Sequence, residues 1–592
     1  MKVYHFGPFG PDSFGSFASM FGNGHGQQPG ENTPPEQGPQ RPSRPRRPKT
    51  SKKGIAARII AYLVLLAVAY YIMLPPINVQ SQEFWSFAGV FLLLAIGMLS
   101  TISSGEPNNV YGVDGKPVKK PKKLTPRRVL TGIFAAGAIL YVACSLLSSP
   151  ILQAKRYASI IQESLTTKDI AEYTPTIDNV PLLDRDSAER LAQRALGNLV
   201  NEVSQFELWD SVQITVDGAP VRVQPLGYDG FIKWFLNRKT GIPAYITVDM
   251  KSQNTKIIRL ETGMNYSPSA YFNDNLYRHL RFRYPTAMFD DMKFELDEDG
   301  NPYWVAPVLQ HKIMMLAGTD VKGVVTCNPV TGETQYYSLG EIPDWIDNVY
   351  SADLIIQQYN WYGRYHNGFI NSVIGQKGVV TTTEGYNYIP KGNDIYCYTG
   401  ITSVVSDESN IGFIFSDMRT RETEYYEIAG AEEFSAAESA EGLVQNLKYQ
   451  ATFPLLLNID GQPTYTVALK DDAGLVKMYG MVNMAQYQDV ATGKTIKECL
   501  SNYRQLMIED GLIQEEEPEP VETETVSGKI ADLRSAVRDG TTYFYLQLEG
   551  GDVYYSLNAS DNEAAVLLNQ GDTVSLEVED AEDGNILSAT LQ

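Results

Sequence analysis

The sequence predicts a multidomain membrane protein with three transmembrane α-helices. These are followed by an α+β extracytoplasmic repeat region of helix-plus-antiparallel-meander units and a small C-terminal all-β, OB-like barrel. Three observations predict this class. Three charge-free apolar runs precede residue 155, Asp-Gly hairpin turns recur beyond it, and an acidic proline-rich stretch sets off residues 527–592.

The 592 residues carry a net charge of −21, unevenly spread. Residues 1–149 hold sixteen Lys and Arg against six Asp and Glu, and the remainder holds 33 against 64. An acidic soluble part repels phosphate backbones, so no nucleic-acid partner is expected. Residues 1–54 are rich in Gly, Phe, Pro and Gln, as in Phe6-Gly7-Pro8-Phe9, and show no helical or strand period. Such composition buries too little surface to offset ordering entropy, so a disordered tail is expected. Its basic end, Arg41 to Lys53, suits a topogenic charge signal, with a cytoplasmic partner or anionic headgroups as the alternative.

The charge-free runs extend from Ile59 to Val79, Phe84 to Ser104 and Val129 to Ala154. A helix needs roughly 20 apolar residues to cross a bilayer. Region 55–154 is therefore read as three spans, at about 55–75, 84–104 and 129–150, with a basic loop at 105–128. Basic residues cluster before the first span and between the second and third, whereas the loop after the first holds only Glu83. The positive-inside rule places the N-terminus in the cytoplasm and everything beyond the third span outside, and the lack of a eukaryotic disulfide pattern favours a bacterial plasma membrane. The lipid bilayer is the first partner. Phe84, Trp85, Tyr70 and Tyr71 fall at the expected outer interface.

After a juxtamembrane segment, 155–183, a recurring unit fills 184–512. Helix starts are read at Asp186 and Ser435, each followed by Glu three residues on, at Ser267-Pro268, and at Ser351. Strand-like runs follow, broken at Asp217-Gly218, Asp299-Gly300, Gly392-Asn393 and Asp460-Gly461. Asp-Gly between alternating apolar residues is a strong hairpin signal. Later strand pairs run from Gly323 to Tyr337 and from Gly412 to Tyr426, giving four units in all. With its Asp-Gly hairpin and the stretch Asn328-Pro329-Val330-Thr331-Gly332-Glu333-Thr334, the unit resembles the PepSY type of extracytoplasmic domain. That resemblance implies a helix packed on an antiparallel sheet, a regulatory or accompanying role, and no active-site residues.

Residues 513–526 form an acidic linker, and 527–592 carry the pattern of three strands, a helix and two strands. That order resembles the OB-fold. Tyr543, Tyr545, Tyr554 and Tyr555 could stack on sugars, but half-buried strand positions are the commoner role of such tyrosines and the preferred reading.

No catalytic, cofactor-binding or metal-ligating residue is nominated. His279, His311 and His366 are well separated. Cys327, Cys397 and Cys499 lack CxxC spacing and leave one disulfide open. Gly493-Lys494-Thr495 ends like a P-loop, but Gln488 stands where its first glycine belongs. Glu295 to Gly300 starts like an EF-hand loop, but Ala306 stands where the bidentate Glu belongs. The expected function is therefore a membrane-anchored binding or scaffold protein of the cell envelope, without catalysis or cofactor, that meets a protein or cell-wall polymer outside. The alternatives are a transmembrane sensor coupled to a cytoplasmic partner, and an envelope-acting enzyme with an unrecognised site.

Overall fold

The computed structural model describes residues 51–102, 110–111, 117–118, 125–175, 177, 180–198, 204–404, 406–513, 524–538, 541–559, 563–578 and 586–591. The expected disordered tail, most of the basic loop and most of the acidic linker lie outside these residues. The chain divides into two compact units, Met1–Ile60 with Gly97–Lys123, and Ala61–Ile96 with Leu124–Gln592.

Three helices are long and apolar enough to cross a membrane: α1 (Lys52–Met73), α2 (Gln82–Ile102) and α3 (Pro126–Leu147). In the first compact unit, β1 (Val110–Tyr111) and β2 (Pro117–Val118) form a minimal antiparallel pair. All other elements below belong to the second unit. The third apolar helix stops at Leu147, short of the expected end near 150. Ser148 Oγ donates to the Cys144 carbonyl, and Ser149 caps a new helix, α4 (Pro150–Gln162), with Pro150 in its first turn. Proline suits that position because its missing N–H has no helical partner there. Strand β3 (Leu165–Lys168) follows.

Four meanders then repeat one topology. Each has a leading strand in two pieces, both paired to one central strand, and two further antiparallel strands. The first, after helix α5 (Arg185–Gly197), comprises β4 (Phe206–Leu208), β5 (Val212–Val216), β6 (Ala219–Tyr228), β7 (Ile242–Asp249) and β8 (Thr255–Met264), with α6 (Phe231–Asn237) inserted before β7. The second, after α7 (Leu276–Arg283), comprises β9 (Met288–Phe289), β10 (Lys293–Leu296), β11 (Pro302–Ile313), β12 (Ala317–Cys327) and β13 (Thr334–Ser338). The third, after α8 (Ala352–Tyr365), comprises β14 (Val380–Thr382), β15 (Asn387–Lys391), β16 (Asp394–Ser403), β17 (Ser406–Asp417) and β18 (Thr423–Ala431). Strand β3 joins this sheet parallel to β18. The fourth, after α9 (Glu433–Leu443), comprises β19 (Gln450–Ala451), β20 (Leu455–Ile459), β21 (Gln462–Lys470), β22 (Val476–Asn483) and β23 (Val490–Gly493), and α10 (Ile496–Glu509) closes it.

The hairpins fall at the expected turns. Asp217 and Gly218, like Asp460 and Gly461, all have positive φ, the requirement of the two-residue turn that matches strand twist. Helix starts agree at Ser351 and differ elsewhere. Asp184, not Asp186, caps α5 through Ser187 N. Asn275, not Ser267, caps α7 through Arg278 N, and α9 begins after Glu432 rather than at Ser435. Ser267 Oγ instead accepts from Ser269 N in the loop before α7, a local bond that competes with helix formation.

The meanders pack in a closed circuit. Val223 and Tyr245 of the first share a core with Phe294 and Trp304 of the second. Val305 and Val324 of the second meet Ile395 and Ile414 of the third. Phe413 and Tyr398 of the third meet Tyr465 and Val467 of the fourth. Val476 of the fourth then borders the first core, and Lys470 Nζ reaches Asp184 Oδ2 at 2.5 Å. Fully buried rings such as Phe294 and Phe413 each contribute about 1.5–3 kcal/mol on leaving water.

The C-terminal sheet is antiparallel, in the order β26 (Tyr554–Asn558), β25 (Thr541–Leu548), β24 (Glu524–Arg538), β27 (Thr573–Val578), β28 (Ile586–Leu591). Strand β24 serves both halves and shifts register between Ile530 and Asp532. The expectation of a barrel is corrected: closure requires each strand to have two partners, and β26 and β28 have one each among the described residues.

Candidate functional site

The leading strands break at the same place in all four meanders, and the break has a chemical cause. Opposite it, a central-strand carbonyl accepts from the break itself: Trp209 N to Pro225 O, Asp290 N to Pro307 O, Thr383 N to Gly400 O and Thr452 N to Ala468 O, all at 2.9–3.0 Å. In the first two meanders the acceptor residue is proline, which has no N–H to offer the leading strand and so interrupts the ladder. In the fourth, the Ala468 N–H goes to the Thr452 hydroxyl.

The four breaks open onto one cleft of about 430 Å³. Ser211 and Gln213 line it from the first meander, Asp290, Asp291 and Lys293 from the second, Tyr386 and Tyr388 from the third, and Phe453 from the fourth. The starts of α5 and α8 add Asp184 to Asp186 and Ser351 to Asp353.

Arg222 is the principal buried cation of this cleft. It sits on β6 opposite Gln213 and is 5 % exposed. Its Nη1 donates to Ser211 Oγ at 3.1 Å and its Nη2 to Gln213 Oε1 at 3.4 Å, while Nε finds no acceptor. No ion pair to Arg222 occurs among the described residues. Burial lowers its pKa to about 10, so it remains charged at neutral pH. Gln213 Nε2 also lacks a partner. The nearest acid works through a relay, with Ser211 Oγ donating to Glu189 Oε1 at 2.6 Å while Arg185 Nε holds that oxygen at 2.7 Å. Across the cleft, burial raises the Asp290 carboxyl above its usual range, and Ser351 Oγ donates to it at 3.3 Å. Unpartnered N–H donors beside a buried guanidinium suit an anionic oxygen, against five carboxylates, Asp184, Asp186, Asp290, Asp291 and Asp353, elsewhere on the lining.

Beneath the cleft, Glu295 is fully buried. It accepts from Asp347 N at 2.8 Å and Asn348 N at 3.1 Å, and Thr215 N donates to Asp347 Oδ2 at 2.6 Å. Asn348 Nδ2 donates to the Gln213 carbonyl, which links this layer to the cleft. Burial raises both carboxyls, Glu295 to about 7, and the charge of Glu295 adds to the rise at Asp347.

The residues weighed in the sequence do not converge. His279 Nε2 meets the Gly332 carbonyl at 2.8 Å against Tyr266, His311 meets Thr319, and His366 meets the Tyr362 carbonyl. No group of three potential metal ligands occurs among the described residues. All four cysteines are free, and burial raises the Cys327 and Cys499 thiols to about 12. Thr495 caps α10, accepting from Glu498 N while Glu498 Oε2 accepts from Lys494 N, so the P-loop-like triplet is the capped start of a helix. In the EF-hand-like turn, Asp297 accepts from Asp299 N and Asn301 N. Tyr543, Tyr545 and Tyr554 share one face of the last sheet, whereas Tyr555 turns into its core.

Sequence reasoning missed Arg222. The available signal was a charged residue inside Val221-Arg222-Val223-Gln224-Pro225, where mid-strand proline also marks the break.

No family model matches the chain, and no curated protein matches it. Among solved structures, two substituted forms of the levansucrase of B. megaterium align at 9% identity, with TM-scores of 0.16 and 0.15. They cover 74% and 65% of this chain and 94% and 85% of theirs. Similarity at that level carries no functional information.

Proposed function

We propose that the chain is a membrane-anchored binding protein of the cell envelope. In this reading α1, α2 and α3 cross a bilayer, the ring of meanders lies outside the cytoplasm, and the cleft takes an anionic group of a cell-wall polymer or partner protein. The observation that carries the binding role is Arg222, a buried cation without an ion-pair partner among the described residues, in a cleft that all four meanders build. Burying an uncompensated charge costs several kcal/mol, which a bound anion would offset.

Contacts between the helices and the ring support the anchoring part. The α1–α2 connector bonds to the second meander and its helix: Ile77 N to Pro285 O, Asn78 Nδ2 to Thr286 O, and Gln80 Nε2 to His311 O. At the end of α3, Ser148 O accepts from Tyr157 on α4, whose ring packs against Trp361 of α8. Contacts of the ring with both the connector and the end of α3 support the topology read from the charge pattern.

Thermal unfolding of the detergent-solubilised full chain tests the binding role. Uronic acids, phosphosugars and peptides with a free carboxylate form the panel. One class should stabilise the protein, by about 2.7 kcal/mol at a hundredfold excess over Kd, and Arg222→Met should abolish the effect. Equal stabilisation of wild type and Arg222→Met, or none by any class, contradicts the proposal.

A further inference from the structure

Two patches of large apolar side chains stand exposed on the ring. In α6, Phe231, Ile232, Phe235 and Leu236 face outward while Trp234 turns into the core, and Ile232 and Leu236 are 69% and 68% exposed. Phe272, also exposed, packs against Phe231 and Trp234 at ring distances of 6.3 and 5.6 Å. The second patch lies in the turn after α8, where Ile370, Val373 and Ile374 are 73%, 60% and 80% exposed. Contiguous exposed apolar surface marks a contact with a partner or a membrane.

Both patches continue from the ends of the apolar helices. Asn273, next to Phe272, accepts from the Tyr71 hydroxyl of α1, and Phe282 of α7 packs on Tyr70 and Tyr71. The second patch connects through Phe369 to Tyr365 and from there to Tyr157, which bonds to Ser148 at the end of α3. Beside the first patch, the Arg238 guanidinium lies 4.2 Å from the Phe235 ring centroid, and Lys239 is exposed next to it. Apolar and aromatic side chains, bordered at the first patch by cations, fit the acyl–headgroup boundary of a bilayer.

We infer that the ring is seated on the lipid leaflet, with α6 and Phe272 on one side and the Ile370–Ile374 turn on the other dipping among the lipids. The inference rests on the membrane reading above and extends it from the helices to the ring. Two-point seating would hold the cleft at a fixed height above the bilayer, independently of helix tilt.

The test uses the full chain in phosphatidylcholine–phosphatidylglycerol nanodiscs, with Cys144→Ala removing the only cysteine that is not buried. Spin labels are placed singly through Ile232→Cys, Ile374→Cys, Leu65→Cys in α1 and Asp472→Cys, an exposed polar control. Labels at 232 and 374 should collide with oxygen several-fold more than with a water-soluble nickel chelate, as at 65, with the preference reversed at 472. Either label behaving like 472 while 65 reads lipid overturns the seating and leaves the anchor intact. A water-exposed label at 65 overturns the membrane reading itself.

Discussion

Arg281 on α7 donates from Nε to the Leu74 carbonyl at 2.9 Å, joining the first turn after α1 to the ring. Its Nη1 also reaches the Ala287 carbonyl, and the residue is 7% exposed. The connector between two apolar helices is thus held by a buried charged donor rather than left as a loop.

Arg281→Ala should weaken this joint by about 1.5–3 kcal/mol, the usual worth of hydrogen bonds to a charged group. Hydrogen exchange on the full chain would read it: amides of residues 74–81 should exchange faster, with the meander amides unchanged. Unchanged protection of the connector would show that Arg281 does not hold it.

Two buried arginines should respond differently to loss of charge. Arg421 Nη1 is paired with Asp320 at 2.7 Å and bonded to Gln358 at 3.1 Å. Arg421→Met leaves Asp320 with Lys312 as its ion-pair partner and Gln358 Nε2 as a neutral donor, and should cost about 3 kcal/mol. Arg222→Met abandons no carboxylate and removes a buried charge that has no ion-pair partner among the described residues, so it should leave unliganded stability unchanged or raise it, by up to about 4 kcal/mol. Denaturant midpoints of the two variants check the contrast, and equal losses would mean that Arg222 is a structural residue.

Glu295 supplies a pH dependence. Its folded pKa, about 7, lies above the unfolded value of roughly 4.3, so the native state binds the extra proton between them. The contribution of this group is then fully present below about pH 4 and is lost as pH rises towards 7, by about 3 kcal/mol. Unfolding midpoints measured from pH 5 to 8 should fall, and Glu295→Gln should flatten the slope even if it lowers the whole curve. An identical slope in the variant would assign the dependence elsewhere.

Gly412 and Gly323 occupy matching positions in the third and second meanders. A Cβ on Gly412 would lie 2.4 Å from the Tyr426 carbonyl oxygen, and one on Gly323 2.3 Å from that of Tyr337. Gly412→Ala should therefore destabilise by about 1–3 kcal/mol, as overpacking does. Calorimetry of the full chain would show a lowered midpoint, and an unchanged one would mean that the neighbouring strand gives way.

These glycines, with the paired tyrosines after them, show what the sequence could reveal. Local chemistry was legible: positive-φ Asp-Gly turns and alternating strands act within a few residues, and the start of α8 falls at Ser351 although its hydroxyl bonds Asp290 rather than the helix. Helix starts at Asp184 and Asn275 were misjudged because several side chains nearby could cap, and tertiary packing chose among them. The added strand β3 pairs with β18 more than 250 residues away, beyond any local period. The cleft was illegible for the same reason, because Ser211, Asp290, Tyr386 and Phe453 meet only when four separate breaks are brought together. Arg222 looks like an ordinary polar residue of an alternating strand until both faces of its sheet are seen to be covered.

The central claim, a binding ring held outside the cytoplasm by α1 to α3, is tested most directly by labelling intact cells. Full-length protein with Cys144→Ala would carry either Ser16→Cys in the tail or Asp472→Cys in the ring, and cells would be treated with a membrane-impermeant maleimide. Position 472 should label in intact cells and position 16 only after lysis. Labelling at 16 with protection at 472 would contradict it.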